Sequence, residues 1–579
     1  MRTPFKKQHL SKGNQRLVSS QRVQALLKCA VEMHQRGELD EALGHYTAVL
    51  SAEPKNFEAL HLSGLIAYQK ANPGHGAMLM REALKINPLS VACMVNLGLA
   101  EHALGNFELA IEKYRTALSI QPFLASAFYN RANVYKEQCR WDLAEGDYQI
   151  AIVINPGYWE AYLNLGVVQE HRANWGGSLD SLKKVIVINP RCVKAYNNRG
   201  NVYKKTEQWM QALNDYDMCL KFDQRYVDAY INKGNLLKEL GYYDQASLLY
   251  SQALSLEPKN SKVLWNKSLL SLLQEDFNEG WKNYETRWSR ENTAQLNPYL
   301  SNLPEITAHL QWRGGQTLSG KKLLIYAEQG LGDSIQFVRF VPLLAQLGAT
   351  VYLAVQLSLF ELFKCIHGVD RLCVLGQALP EFDLACPLMS LPLALGLTST
   401  EQFGSEPYLA AQDLRVLNWM EILPSQRPRV GVVWRGSQYH ANDKYRSLTW
   451  SKFKDCLSPV TNYVSLQKDI NQEESIFLQQ EVGVLDVANQ LKDFSDTAAL
   501  CKTLDLVICV DTSVAHLAAA LGVEVWLLIP YSPDWRWTAQ GDRSKWYKNL
   551  KLYRQSQWGQ WDAPLNKVRL DLEAKFKDT

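Results

Sequence analysis

The 579-residue sequence holds no run of 18 apolar residues, so no stretch of it is expected to cross a bilayer as a helix. Its most apolar region, Leu504 to Pro530, is broken by Asp505, Asp511, His516 and Glu524. The 11 cysteines form no C-x-x-C pair, which argues against a structural zinc site and suits a reducing cytoplasm. An excess of one charge is also lacking. The formal net charge is +3, which gives no footing for nucleic acid or an acidic membrane as partner. Local basicity is confined to Arg2, Lys6, Lys7, Lys12 and Arg16, and no apolar face recurs there. Residues 1–22 are therefore expected to be a flexible basic tail without the apolar core of a secretory signal. The chain is too long for one core, and two to four domains are expected.

What the first half does have is a beat. Prolines fall at 54, 88, 122, 156, 190 and 258, on a spacing of 34, with Gln224 filling the gap. Small residues keep the same time at Gly64, Gly98, Ala132, Gly166, Gly200 and Gly234. Large ones follow at Tyr46, Met80, Tyr114, Tyr148, Leu182, Tyr216 and Tyr250. This is the tetratricopeptide pattern, a pair of antiparallel helices per unit with small residues where the helices touch. Residues 23–294 are read as about seven units plus a degenerate eighth marked by Leu264, Trp265, Trp281, Tyr284 and Trp288. Such units stack into an all-α superhelix.

One polar position also repeats: Asn96, Asn130, Asn164, Asn198, Asn232 and Asn266. A carboxamide offers donors and an acceptor together, as a peptide unit does, so a row of them suits an extended polypeptide. Inheritance by duplication, with the amides bonding between helices, is the plainer alternative. The one D-x-D stretch, Asp215-Tyr216-Asp217, lies in a repeat helix.

Beyond a linker dotted with Pro298, Pro304, Gly314, Gly315 and Gly320 the period changes. Short apolar runs alternate with helical patterns: Leu323–Tyr326, Val351–Val355, Leu372–Leu375, Val430–Trp434, Tyr463–Leu466, Leu506–Val510 and Glu524–Ile529. Strands so spaced predict parallel sheets, here in two Rossmann-like lobes over 295–412 and 413–579. Ligands of such sheets sit at the carboxyl ends of the strands.

Three polar stretches fall there. Ala327-Glu328-Gln329-Gly330-Leu331-Gly332-Asp333-Ser334 reads as strand, glycine turn and helix, with backbone N–H groups open to an anion. It lacks the third glycine of a dinucleotide site and the Gly-Lys-Ser/Thr of a P-loop, and a plain strand-to-helix turn is the alternative. The loop from Trp434 and Arg435 to Ser447 offers Lys444 and Arg446 as a diphosphate clamp, or else as a solvated basic loop. Asp511-Thr512-Ser513 is expected to cap a helix that Gly522 ends. His516, in its first turn, is either a ligand contact or a core histidine.

Gly330-Leu331-Gly332-Asp333 together with Asp511-Thr512-Ser513-Val514-Ala515-His516-Leu517-Ala518-Ala519-Ala520-Leu521-Gly522 resembles glycosyltransferase family 9, the heptosyltransferase group. Ser465-Leu466-Gln467-Lys468, Phe494–Leu500 and Pro533-Asp534-Trp535-Arg536-Trp537 are similar to bacterial tetratricopeptide proteins that carry this domain. The resemblance implies a two-lobed GT-B fold, Asp333 as catalytic base, and a donor site of Gly330, Gly332, Arg435, Lys444, Arg446, Gln467, Asp511, Thr512, Ser513 and His516. The segments Tyr129–Glu137 and Asn198–Lys204 resemble the repeats of O-linked N-acetylglucosamine transferases, where an asparagine ladder binds the acceptor polypeptide. Together these imply a cytoplasmic enzyme without cofactor or metal. It would move a sugar from a nucleotide sugar to an extended protein segment, with inversion. A surface protein such as flagellin is a candidate acceptor by analogy. Two rivals stand beside this: a scaffold whose GT-B half has lost its chemistry, and a lipopolysaccharide or polysaccharide transferase.

Overall fold

The computed structural model describes residues 12–289 and 310–577, apart from 329, 439–441, 460, 471, 473, 475, 477 and 479–483. The chain divides into two compact units, Met1–Ala229 and Tyr230–Thr579.

The first unit is a stack of helix pairs from Lys12–Gln35 to Trp209–Phe222. The expected tail is corrected in part. Residues 12–22 belong to the first helix, which continues N-terminally from the packed residues Val23 and Ala30. Extending a formed helix adds one bond per residue fixed, so the continuation needs no new nucleus. Residues 1–11 lie outside the described residues.

The 34-residue beat is explained by a small residue facing a large one 16 positions later. A Cβ on Gly98 would stand 2.6 Å from the Tyr114 ring, on Gly200 2.7 Å from Tyr216, and on Gly166 2.8 Å from Leu182. Tyr114 Oη finds no partner among the described residues, whereas later repeats supply one. Tyr148 donates to Asn133 at 2.6 Å and Tyr216 to Asn201 at 2.8 Å. Arg131 grips Asp147 with two bonds of 2.7 and 2.8 Å, and Arg199 grips Asp215 likewise. The D-x-D acid Asp215 is therefore spent on packing the repeat.

The second unit begins inside the seventh repeat, and the repeat helix pairs continue within it to Phe277–Tyr284. The last helices, Ser261–Leu273 and Phe277–Tyr284, bury Leu272, Leu273, Phe277, Trp281 and Tyr284 in the same core as the strands that follow. Trp281 meets Phe337 and Trp535 edge-on, with centroids 6.0 and 5.4 Å apart. Pro298 and Pro304 of the expected linker lie outside the described residues.

Two parallel sheets follow. The first has the order β3 (Arg371–Val374), β2 (Thr350–Val355), β1 (Lys322–Tyr326), β4 (Leu384–Pro387). The second runs β10 (Leu550–Arg554), β9 (Val525–Ile529), β8 (Leu506–Val510), β5 (Arg429–Val433), β6 (Asn462–Ser465), β7 (Val484–Asp486). All seven expected strands are present to within a residue or two at each end. The short strands β4 and β7 were not foreseen, nor was β10, whose Leu-Lys-Leu-Tyr-Arg reads as half polar. One face of the second sheet shares a continuous core with the first lobe and the last repeat. Its other face packs Val430, Val432, Ile508 and Leu528 on Leu565, Val568 and Leu572 of the helix Asp562–Lys575.

Trp281→Ala should therefore act on the whole second unit and not only on a repeat. The expected loss is about 3–5 kcal/mol in chemical unfolding. It should be read by the fluorescence of the remaining tryptophans, most of which lie in that unit. A loss below about 1 kcal/mol would mean that the repeat end and the lobes do not share a core.

Candidate functional site

β1 delivers the glycine stretch. Gly330 is the N-cap of the helix Leu331–Phe337, and Asp333, its third residue, accepts the Gly330 N–H at 2.9 Å. Neither glycine is needed for a left-handed backbone. Gly330 has φ of −66°, and the reason for Gly332 is space: a Cβ there would lie 3.1 Å from His516 Cδ2. β8 delivers the facing stretch. Asp511 follows its last residue, and Thr512 is the N-cap of the helix Ser513–Ala520. Gly522 follows that helix with φ of +83°, as expected of a terminator. The expected capping by side chains is absent. Thr512 Oγ1 makes no cap bond and is buried without a partner among the described residues.

The helix N-termini of the two lobes thus meet across a cleft of 860 Å³. Of the expected residues, Gly330, Gly332, Asp333, Arg435, Arg446, Gln467, Asp511, Thr512, Ser513 and His516 line it. Lys444 does not. It is exposed, with its ammonium over the Tyr445 ring at 5.2 Å. It lies in the one-turn helix Asp443–Arg446, where residues two apart point in different directions, so Arg446 turns inward and Lys444 outward. Arg446 donates to the Asp511 backbone oxygen at 2.9 Å and lies so close to Gly436 that a Cβ there would be 2.6 Å from Nη2. Arg435 pairs with Glu474 at 3.0 Å, and its backbone N–H goes to Gln467 at 3.1 Å.

The sequence reading missed Arg536 and Asp534, which also line the cleft. Arg536 sits on the Trp535 ring at 4.2 Å. It donates to Gln336 at 2.7 Å, to Asp534 at 2.9 Å, and to Asp333 Oδ1 in a close ion pair. The signal was available: the loop after β9 opens at a strand's carboxyl end, where ligands gather.

Electrostatics separate the groups. Burial, then the Asp534 carboxylate, push Asp511 from its ordinary 3.8 up to about 6 against the pull of Arg446. Burial, then Arg536 and Arg339, hold His516 well below its usual range. It is neutral, packed on Trp537, with Nδ1 3.0 Å from the Tyr547 hydroxyl. Among the described residues no cluster of three or more His, Cys, Asp or Glu side chains is placed to hold a metal ion.

The asparagine row is not uniform. Asn164 bonds Asn133, Tyr129 and Lys136. Asn96 meets His61 at 2.9 Å, and Asn266 turns back on Lys262 O of its own helix. Asn232 also has a partner. Among the described residues Asn130 and Asn198 have no hydrogen-bond partner, and both are half-buried. The expected six-membered ladder is thus partly spent on holding helices together.

Residues 98–138, 193–226 and 227–260 match profiles of tetratricopeptide repeats. Residues 470–557 match glycosyltransferase family 9 (heptosyltransferase). The chain joins a tetratricopeptide array to a C-terminal glycosyltransferase family 9 domain. The family 9 match takes in Asp511–His516, Asp534 and Arg536, whereas Asp333 and Arg446 lie before it. Over 317 residues the chain is 28% identical to Protein FlbA of Caulobacter vibrioides, covering 50% of this chain and 51% of that one. It therefore spans about half the length of that curated relative. Among solved structures, a tetratricopeptide repeat protein from Parabacteroides merdae is 20% identical and covers 43% of this chain and 99% of its own, with a TM-score of 0.36. YrrB, a TPR protein with an unusual peptide-binding site, is 20% identical and covers 33% and 100%, with a TM-score of 0.29.

Two stability measurements check this geometry. The folded Asp511 binds its proton more tightly than the unfolded chain does. Its contribution to stability is present below about pH 3.8 and is lost as pH rises to about 6. Asp511→Asn should therefore raise Tm at pH 7.5 and give no advantage near pH 4. An equal shift at both would remove the burial penalty. In the repeats, Asn164→Ala should cost about 1–2 kcal/mol through its lost bonds. Asn130→Ala and Asn198→Ala should each stay within about 0.5 kcal/mol. Equal losses at all three in urea unfolding would contradict the division of the row.

Proposed function

We propose that this chain is a glycosyltransferase that takes a sugar from a nucleotide-sugar donor in the cleft and places it on a polypeptide. What carries this is the convergence of Gly330–Asp333 from one lobe and Asp511–His516 from the other on one cleft at the strand ends. The family 9 match over the second lobe supports the same donor class. The diphosphate would lie against the N–H groups at Thr512 and Ser513, with Arg446 and Arg536 as countercharge. Those cations do the work a metal does elsewhere, so the transfer is taken to be metal-independent. Asp333 is the base: it accepts the acceptor hydroxyl's proton as that oxygen attacks the anomeric carbon from the face opposite the leaving diphosphate, inverting the centre. Asn130 and Asn198 are the best-placed contacts for an extended acceptor segment, because their amides are unspent. With no helix among the described residues long and apolar enough to cross a membrane, and with all 11 cysteines unpaired, we assign the reaction to the cytoplasm.

The test is a thermal-shift panel of ADP, UDP, GDP and CMP, with and without magnesium, on wild type, Arg446→Ala and Lys444→Ala. One nucleotide should raise Tm regardless of magnesium, and saturation at about 100 times Kd should add about 2.7 kcal/mol. The shift should vanish in Arg446→Ala and survive in Lys444→Ala. No shift with any nucleotide would sink the donor site and leave a repeat scaffold. A shift that needs magnesium would overturn the metal-free mechanism.

A further inference from the structure

Arg536 sits between two acids and does not behave as a simple brace. A guanidinium has five N–H donors. Three of them are spent, on Gln336 at 2.7 Å, on Asp534 at 2.9 Å and on Asp333. The side chain lines the cleft, and among the described residues no bond uses the other two. Trp535 beneath the guanidinium and Gln336 at Nε fix its plane, so it needs no reorganisation to receive an anion. Across the cleft Thr512 and Ser513 begin a helix, and Thr512 Oγ1 is buried without a partner among the described residues.

We propose that Arg536 is an anion ligand held in reserve by Asp333: a diphosphate entering the cleft takes over the guanidinium and so releases the carboxylate from that ion pair. A diphosphate carries more charge than one carboxylate and accepts bidentate bonds, so it competes well for the same donors. Asp333 keeps its Oδ2 bond to the Gly330 N–H and therefore its orientation. It loses the guanidinium on Oδ1, so that oxygen is no longer held by Arg536 when the acceptor hydroxyl arrives. Within the donor-site assignment on which this rests, Oδ1 is released from Arg536 only when a donor is present. In the empty cleft Asp333 stays paired. Arg536 acts on Asp333 as a positioning residue and on the diphosphate as a ligand.

The signs of two substitutions separate this from a purely structural bridge. The full chain is titrated with inorganic pyrophosphate by calorimetry at low salt. Arg536→Gln should weaken binding about tenfold or more. Asp333→Asn should tighten it about fivefold, because it removes both a competitor and a like charge. A bridge that only held the lobes together would make both variants weaker. Arg536→Lys, should the glutamine variant fold poorly, keeps the charge with one compact donor and should fall between wild type and Gln. Unchanged or weaker binding in Asp333→Asn, unchanged binding in Arg536→Gln, or no binding by wild type would each overturn the proposal. Pyrophosphate binding with the expected signs but no nucleotide shift would leave this inference standing and remove the nucleotide-sugar assignment. A nucleotide shift with the wrong pyrophosphate signs would do the reverse.

Discussion

Two buried arginines, exchanged between the lobes, hold the cleft in one shape. Arg339 leaves the first lobe and donates to the Trp546 backbone oxygen in the second at 2.8 Å, while its guanidinium lies over the rings of Tyr408 and Tyr547. Arg536 leaves the second lobe and donates to Gln336 and Asp333 in the first. A buried guanidinium without partners is far more costly than a missed apolar contact. Each of these finds its partners only when the lobes meet in one register. The approach of Gly332 to His516, where even a methyl group would crowd the ring, is the steric counterpart of that requirement.

The end of the repeat array is tied into the same arrangement. Arg287 follows the last repeat helix and clamps Glu328 through bonds of 2.9 and 3.1 Å. Glu328 stands two residues before Gly330. Burial drives it up to about 7 even beside that arginine, so the pair is held under a real desolvation load. Trp281 packs on Phe337 at the other end of the Asp333 helix. The helix that carries Asp333 is thus fixed at its start by a charge from the repeat end and at its finish by an aromatic ring from it. A degenerate eighth repeat, seen as decay when judged as a repeat, is intact when judged as a wall of the lobe.

Much of this was legible before any coordinates. The period of 34, the lobes and seven of the ten strands followed from spacing and alternation, which are local signals. So did the membership of Asp333, Arg446 and Asp511 in one cleft, because strand ends converge in parallel sheets whatever the loop sequences are. The failures share a cause: they depend on direction rather than position. Lys444 and Arg446 are two residues apart and both cationic, yet a single helical turn sends one to solvent. Arg536 is embedded among Trp535 and Trp537, which makes it read as core. The asparagine row repeats perfectly in sequence, but Asn164 has Asn133 and Lys136 within reach and Asn130 does not. A periodic residue keeps its address through duplication, whereas its use is set by neighbours that drift independently.

The charge balance of the cleft follows from the same neighbours. Asp333, Asp511 and Asp534 crowd around one guanidinium, and Arg446 reaches only the backbone oxygen of Asp511. Burial, and after it the Asp534 carboxylate, drive Asp511 upward, while Asp534 and Asp333 hold Arg536 firmly charged against its own burial. Arg446, which lines the same cleft, is a second cation whose pull Asp511 feels. An occupant with several anionic oxygens would be repelled by the acids unless it displaced one of them from the arginine. On the proposal above, recognition and rearrangement would be a single event.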